Sequence, residues 1–165
     1  MIHPARILII DDDPSILATY ELILTPRRAP TLRSRGNALF RPHAPLAVPP
    51  PPRYQLALHT HPRDGLRAAR TASKGKAPFI AAFVDMHLPG MDGIRVIREL
   101  DRVDPRIPIA VVTAQAALSR AEITRASGRR LYFITKPFSS RDIRRAAQLL
   151  TRQWPRDIPP QECHE

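Results

Sequence analysis

The chain has 165 residues and a formal net charge of +11, which is enough length for one domain with a substantial core. A single cysteine, Cys163, excludes an intrachain disulfide framework. No apolar run approaches the roughly 20 residues of a membrane span, nor is there a signal-peptide core, so a cytoplasmic protein without membrane insertion is expected. The positive charge invites a nucleic-acid reading. It is nearly all arginine, with Lys74, Lys76 and Lys136 the only lysines, and it is scattered without interleaved aromatic residues. A solvated basic exterior and coding bias account for it better than a base-stacking surface.

In chain order, Arg6 to Ile10 is an apolar run that ends in Asp11-Asp12-Asp13-Pro14. Ile16, Leu17, Tyr20, Ile23 and Leu24 then recur at helical spacing over Ser15 to Leu24, with Pro14 suited to the first turn and Pro26 to the stop. Residues 27–53 are rich in Pro and Arg and include Pro49 to Pro52. They read as a surface insertion with a polyproline II piece, a Pro-rich docking ligand being the alternative. Tyr54 to Leu58 is a short strand, and Pro62 to Ser73 a helix. Phe79 to Val84 is apolar without alternation, as expected of a strand buried on both faces, and closes on Asp85. Met86-His87-Leu88-Pro89-Gly90-Met91-Asp92-Gly93 follows, leading into a helix over Gly93 to Leu100 that ends by Asp104-Pro105.

Ile109 to Val112 ends in Thr113-Ala114, and a weaker helix over Ser119 to Ala126 has Ser119 and Glu122 in capping-box spacing. Leu131 to Thr135 ends in Lys136-Pro137-Phe138. The last helix, Ser140 to Gln153, has Ile143, Ala146, Ala147, Leu149 and Leu150 along its expected buried side. Five strands alternating with five helices specify an α/β, doubly wound parallel sheet with helices on both faces. Such sheets place their ligands at the carboxyl ends of the strands, where Asp11, Asp12, Asp85, Thr113 and Lys136 fall.

The ordered set of an acidic pair, Asp-x-x-x-Pro-Gly-x-Asp-Gly from Asp85, a strand ending in Thr113-Ala114, and Lys136-Pro137-Phe138 resembles the receiver domain of two-component response regulators. The family includes the chemotaxis response regulator. The resemblance runs from about Arg6 to Trp154 around the 27–53 insertion, making 1–154 a receiver and 155–165 a polar tail. It implies the strand order 2-1-3-4-5 of the flavodoxin-like arrangement and a cis peptide at Lys136-Pro137. The implied activity is transfer of a phosphoryl group from a phosphohistidine onto Asp85, followed by slow self-catalysed hydrolysis.

The resemblance also assigns roles. Asp11, Asp12 and Asp85, with the backbone carbonyl of His87, would hold Mg²⁺, a cation suited to hard oxygen ligands. Lys136 would meet the phosphoryl oxygens as a mobile point charge, and Thr113 would bind one of them through its hydroxyl. Phe133 holds the switch-aromatic position, often Tyr in the family; static core is its plainer reading. Tyr132 should face the other way. Asp13 reads as the cap of the first helix. His87 and Gln115 stand at positions that modulate hydrolysis. His3, His43, His59, His61 and His164 lack zinc-ligand spacing.

The implied upstream partner is a sensor histidine kinase or a histidine phosphotransfer protein. Output would pass to an unknown downstream protein through the fourth and fifth helices and the last strand, the tail after Trp154 being too short for an output domain. The rival readings are a phosphorylation-independent interaction module and, less favoured, a basic nucleic-acid-binding protein.

Overall fold

The computed structural model describes residues 5–25, 54–75, 77–114 and 120–153. The 27–53 insertion, Ser119, Gln115, Trp154 and the tail lie outside the described residues, and with them the expectations placed there. The elements are β1 (Ala5–Ile10), α1 (Pro14–Leu24), β2 (Tyr54–His59), α2 (Pro62–Lys74), β3 (Ala81–Asp85), α3 (Gly93–Val103), β4 (Ile109–Thr113), α4 (Arg120–Ser127), β5 (Tyr132–Thr135) and α5 (Ser140–Gln153). No helix among the described residues is long and apolar enough to cross a membrane.

All strand pairs are parallel, in the expected order β2-β1-β3-β4-β5. Alternation along each strand sorts the core into two halves. Ile7, Ile9, Ala81, Phe83, Ala110, Val112 and Ile134 face α1 and α5. Leu8, Ile10, Ala82, Val84, Ile109 and Val111 face α2 and α3, and α4 packs beside α3. β3 is buried at every position, which explains why its sequence shows no polar alternation.

Side chains set the helix starts. The Asp13 carboxylate accepts from the Ser15 N–H at 2.8 Å, capping α1, and Asp92 caps α3 by accepting from the Ile94 N–H at 2.6 Å. Ser139 and Asp142 bond reciprocally at the start of α5: Asp142 Oδ2 accepts from the Ser139 N–H and hydroxyl, and Ser139 Oγ accepts from the Asp142 N–H. One core expectation fails. Leu149 is 36% exposed, because Ile143, Ala146, Ala147 and Leu150 define the buried stripe of α5 and Leu149 falls on its flank.

Two close approaches hold the layers. Gly93 lies under the end of β3 so tightly that a Cβ would stand 2.7 Å from the Met86 Cα and 2.8 Å from the Asp85 carbonyl oxygen. Arg129 reaches from the loop after α4 to bond the Asp101 carboxylate at 2.8 Å and the Pro105 and Ile107 carbonyls at 3.2 and 2.7 Å. It ties the start of β5 to the loop before β4.

Candidate functional site

Register brings the strand ends level. Ile10 pairs with Val84, so Asp11 follows β1 at the height of Asp85, which pairs with Val112; Thr113 pairs with Thr135, and Lys136 stands one residue beyond. The ladder continues past the strands: the Asp11 N–H donates to the His59 carbonyl at 3.2 Å, Met86 to Val112 at 3.0 Å and Lys136 to Thr113 at 2.7 Å. The backbones that carry the site are therefore part of the sheet. Alternation gives Asp11, Asp85 and Lys136 one common facing, because each lies two residues beyond Ile9, Phe83 and Ile134.

Lys136 Nζ donates to Asp11 Oδ2 at 2.8 Å and to Asp85 Oδ2 at 2.7 Å. Asp85 Oδ1 accepts from the His87 N–H at 3.2 Å, and Asp11 Oδ1 from the Asp13 N–H at 3.1 Å. Asp11 and Asp85 are buried, whereas Asp12 is exposed at the mouth. Oxygens of Asp11, Asp12 and Asp85 all lie within 4.8 Å of one another. Burial pushes the Asp11 carboxyl above its ordinary value, against the pull of Lys136 and of the Asp13 N–H. Burial also opposes the Lys136 charge, but the bonds to Asp11 and Asp85 outweigh it and hold the ammonium above its ordinary value.

Among the described residues, three carboxylates stand against one ammonium, a formal excess of two negative charges. Oxygen-only donors, one of them exposed, and that charge excess suit a hard divalent cation that keeps part of its hydration. Donor chemistry and charge therefore fit Mg²⁺.

The other sequence-predicted residues fall as follows. Thr113 is buried at the end of β4. Phe133 pairs with Val111, so Thr113 and Phe133 lie diagonally on the α3 side of the sheet. Tyr132 faces the opposite, α1–α5 side, as expected. The His87 side chain is exposed, and its described link to the site is through its N–H. Asp13 is a cap; the Ser15 N–H holds its carboxyl below the ordinary value. The Lys136-Pro137 peptide is cis.

Two neighbours of the site escaped the sequence reading. Tyr20, assigned only as an apolar position, is fully buried with its ring 5.4 Å from Phe83 and 5.5 Å from Phe138, centroid to centroid, and so braces the Lys136 loop against α1. Arg120 lies with its guanidinium carbon 5.5 Å from the Phe133 ring centre. No local pattern signals either contact, since both join elements distant in sequence.

Residues 55–148 match the family model described as the response regulator receiver domain. The chain belongs to that family: it is a receiver domain of the two-component response-regulator kind. Among curated proteins it is 29% identical over 85 residues to Sporulation initiation phosphotransferase F of Bacillus subtilis, covering 52% of this chain and 66% of that protein. It is 34% identical over 80 residues to Transcriptional regulatory protein QseB of Escherichia coli O157:H7, covering 47% of this chain and 35% of that one. The chain thus spans less than two thirds of the length of the relatives it matches.

Among solved structures it resembles a CheY-like receiver domain protein from Methanospirillum hungatei, with a TM-score of 0.63 and 23% identity over 92% of this chain and 97% of that one. It also resembles the receiver domain of an HD domain-containing protein from Pseudomonas fluorescens, with a TM-score of 0.67 and 16% identity over 93% and 91%. These likenesses concern the fold.

Proposed function

We propose that Asp85 accepts a phosphoryl group from a phosphohistidine and that the modification changes partner binding. The observation that carries this reading is the Lys136 ammonium held between Asp85 and Asp11 at the carboxyl edge of the sheet. An Asp85 carboxylate oxygen attacks phosphorus, forming a P–O bond as the P–N bond to the donor imidazole breaks; the leaving imidazole takes up a proton. Charge builds on three equatorial oxygens, so positioning and cations matter more than acid–base help. Lys136, already 2.7 Å from Asp85, needs only a short swing to reach them.

Asp11, Asp12 and Asp85, with the His87 carbonyl, are proposed to hold Mg²⁺, which when bound supplies further positive charge to those oxygens. Thr113 takes a phosphoryl oxygen through its hydroxyl, and Phe133 turns toward the vacated space. His87 and Gln115 would tune hydrolysis of the acyl phosphate. The receiver is proposed to run over 1–154 with the insertion at 27–53, followed by the tail 155–165. Acting in the cytoplasm, it would take the phosphoryl group from a sensor histidine kinase or a histidine phosphotransfer protein and pass its output to a downstream protein.

The test is treatment with acetyl phosphate and Mg²⁺ followed by mass spectrometry. One hydrolysable phosphoryl adduct should form and vanish in Asp85→Asn. Asp12→Ala, at an exposed position, should keep its thermal transition and lose Mg²⁺ affinity. Persistent labelling of Asp85→Asn would overturn the assignment.

A further inference from the structure

Phe133 has no phenolic hydroxyl, so no hydrogen bond at its ring tip can select one orientation. Among the described residues it packs against the α2–α3 side of the core and meets Arg120, whose guanidinium carbon is 5.5 Å from the ring centre, inside the range of a cation–π attraction. Arg120 is the first residue of α4. A cation there faces the positive end of the helix dipole, an unfavourable place for it. The ring contact gives the position a physical reason.

The opposite end of α4 is gripped separately. Arg98 of α3 donates from Nε and Nη2 to the Ala126 carbonyl at 2.9 and 2.6 Å, and Gly128, with φ +72°, ends the helix. α4 is therefore tied to α3 at its carboxyl end and to β5 at its amino end through Arg120 and Phe133.

We propose that Arg120 is a positioning residue for the switch: its guanidinium holds the Phe133 ring in the half-buried pose of the unmodified domain and parts from it when the ring turns inward. The proposal rests on the reading of Phe133 as the switch aromatic. It assigns the pose to the unmodified state because Lys136 is engaged by both carboxylates. Release of Arg120 frees the first turn of α4 while Arg98 still holds the last, so the helix tilts about its carboxyl end.

The test uses the full chain, its Arg120→Gln and Arg120→Lys variants, and beryllofluoride with Mg²⁺ as the probe. In the unmodified wild type, the Arg120 Nε–H resonance should show a ring-current displacement that disappears in Phe133→Leu. Arg120→Gln should bind beryllofluoride roughly two- to five-fold more tightly, the factor expected from loss of one exposed cation–π contact that favours the unmodified state. Arg120→Lys, which keeps the charge, should fall between. A wild-type resonance with no ring-current displacement, or unchanged or weaker binding by Arg120→Gln, overturns the proposal alone. Failure of the wild type to bind beryllofluoride would instead remove the phosphoacceptor reading, and the role of Arg120 with it.

Discussion

Lys136 and Asp85 are 51 positions apart in the chain, and the Lys136 ammonium lies 2.7 Å from the Asp85 carboxylate. The same nitrogen is 2.8 Å from Asp11, which is largely withdrawn from water. One cation thus screens two buried anions from each other. Lys136→Ala should destabilise the fold by roughly 1–3 kcal/mol at neutral pH, less than for a fully buried pair because the ammonium is partly exposed. Added Mg²⁺ should recover much of that loss, whereas in a purely structural salt bridge it would recover none. Thermal melts of wild type and variant with and without Mg²⁺ measure both effects.

The pH dependence follows from two groups whose values move upward. Asp11 is raised above 3.8, so the native state binds its proton more tightly than the unfolded chain. Its contribution is fully present below 3.8 and is lost as pH rises through the raised value. Lys136 is raised above 10.5, so its contribution holds below 10.5 and is lost as pH climbs through its native value. Asp13, held low by the Ser15 N–H, works in the opposite sense in acid. The comparison that isolates Asp11 is therefore wild type against Asp11→Asn. The stability difference between them should favour the variant increasingly as pH rises from about 4.

Gly93→Ala should be costly despite its conservative size. The added Cβ would meet the Met86 Cα at 2.7 Å and the Asp85 carbonyl at 2.8 Å, both backbone atoms that cannot rotate away. A loss of roughly 1–3 kcal/mol is expected by denaturant titration. Because the displaced atoms carry Asp85, Mg²⁺ affinity should fall as well.

Tyr20→Phe is expected to be neutral or stabilising by up to about 1 kcal/mol. The Tyr20 hydroxyl is buried without a hydrogen-bond partner among the described residues, and its removal relieves a desolvation cost without opening a cavity. The ring contacts with Phe83 and Phe138 survive the change. A clear loss of stability in chemical denaturation would show that the hydroxyl is satisfied in solution, for instance by an internal water.

Much of the fold and the acidic site was legible because it depends on short-range pattern. A continuous apolar run ending in Asp85 can be buried only if a strand is covered on both sides, and β3 is buried throughout. Period-two alternation separated Tyr132 from Phe133, and their side chains pack on opposite faces. Asp13 before Pro14 read as a cap, and the Ser15 N–H donates to it. The strand order and the cis Lys136-Pro137 peptide came from the family resemblance, since spacing alone specifies neither.

What only the tertiary structure decided depends on how separate elements meet. Leu149 counts as apolar in any periodic reading, yet its exposure is set by where α5 rests on the sheet. The partners of Arg129 lie 22 to 28 positions away, Arg98 finds the end of α4, and Arg120 finds Phe133. Arginines abound in this chain, and nothing local distinguishes one that ties two elements from one that is merely solvated. Residue type and spacing determine which face a side chain occupies; the crossovers and the strand register determine what stands opposite it. The Lys136 ammonium lies between Asp11 and Asp85 because three parallel strands end at the same height.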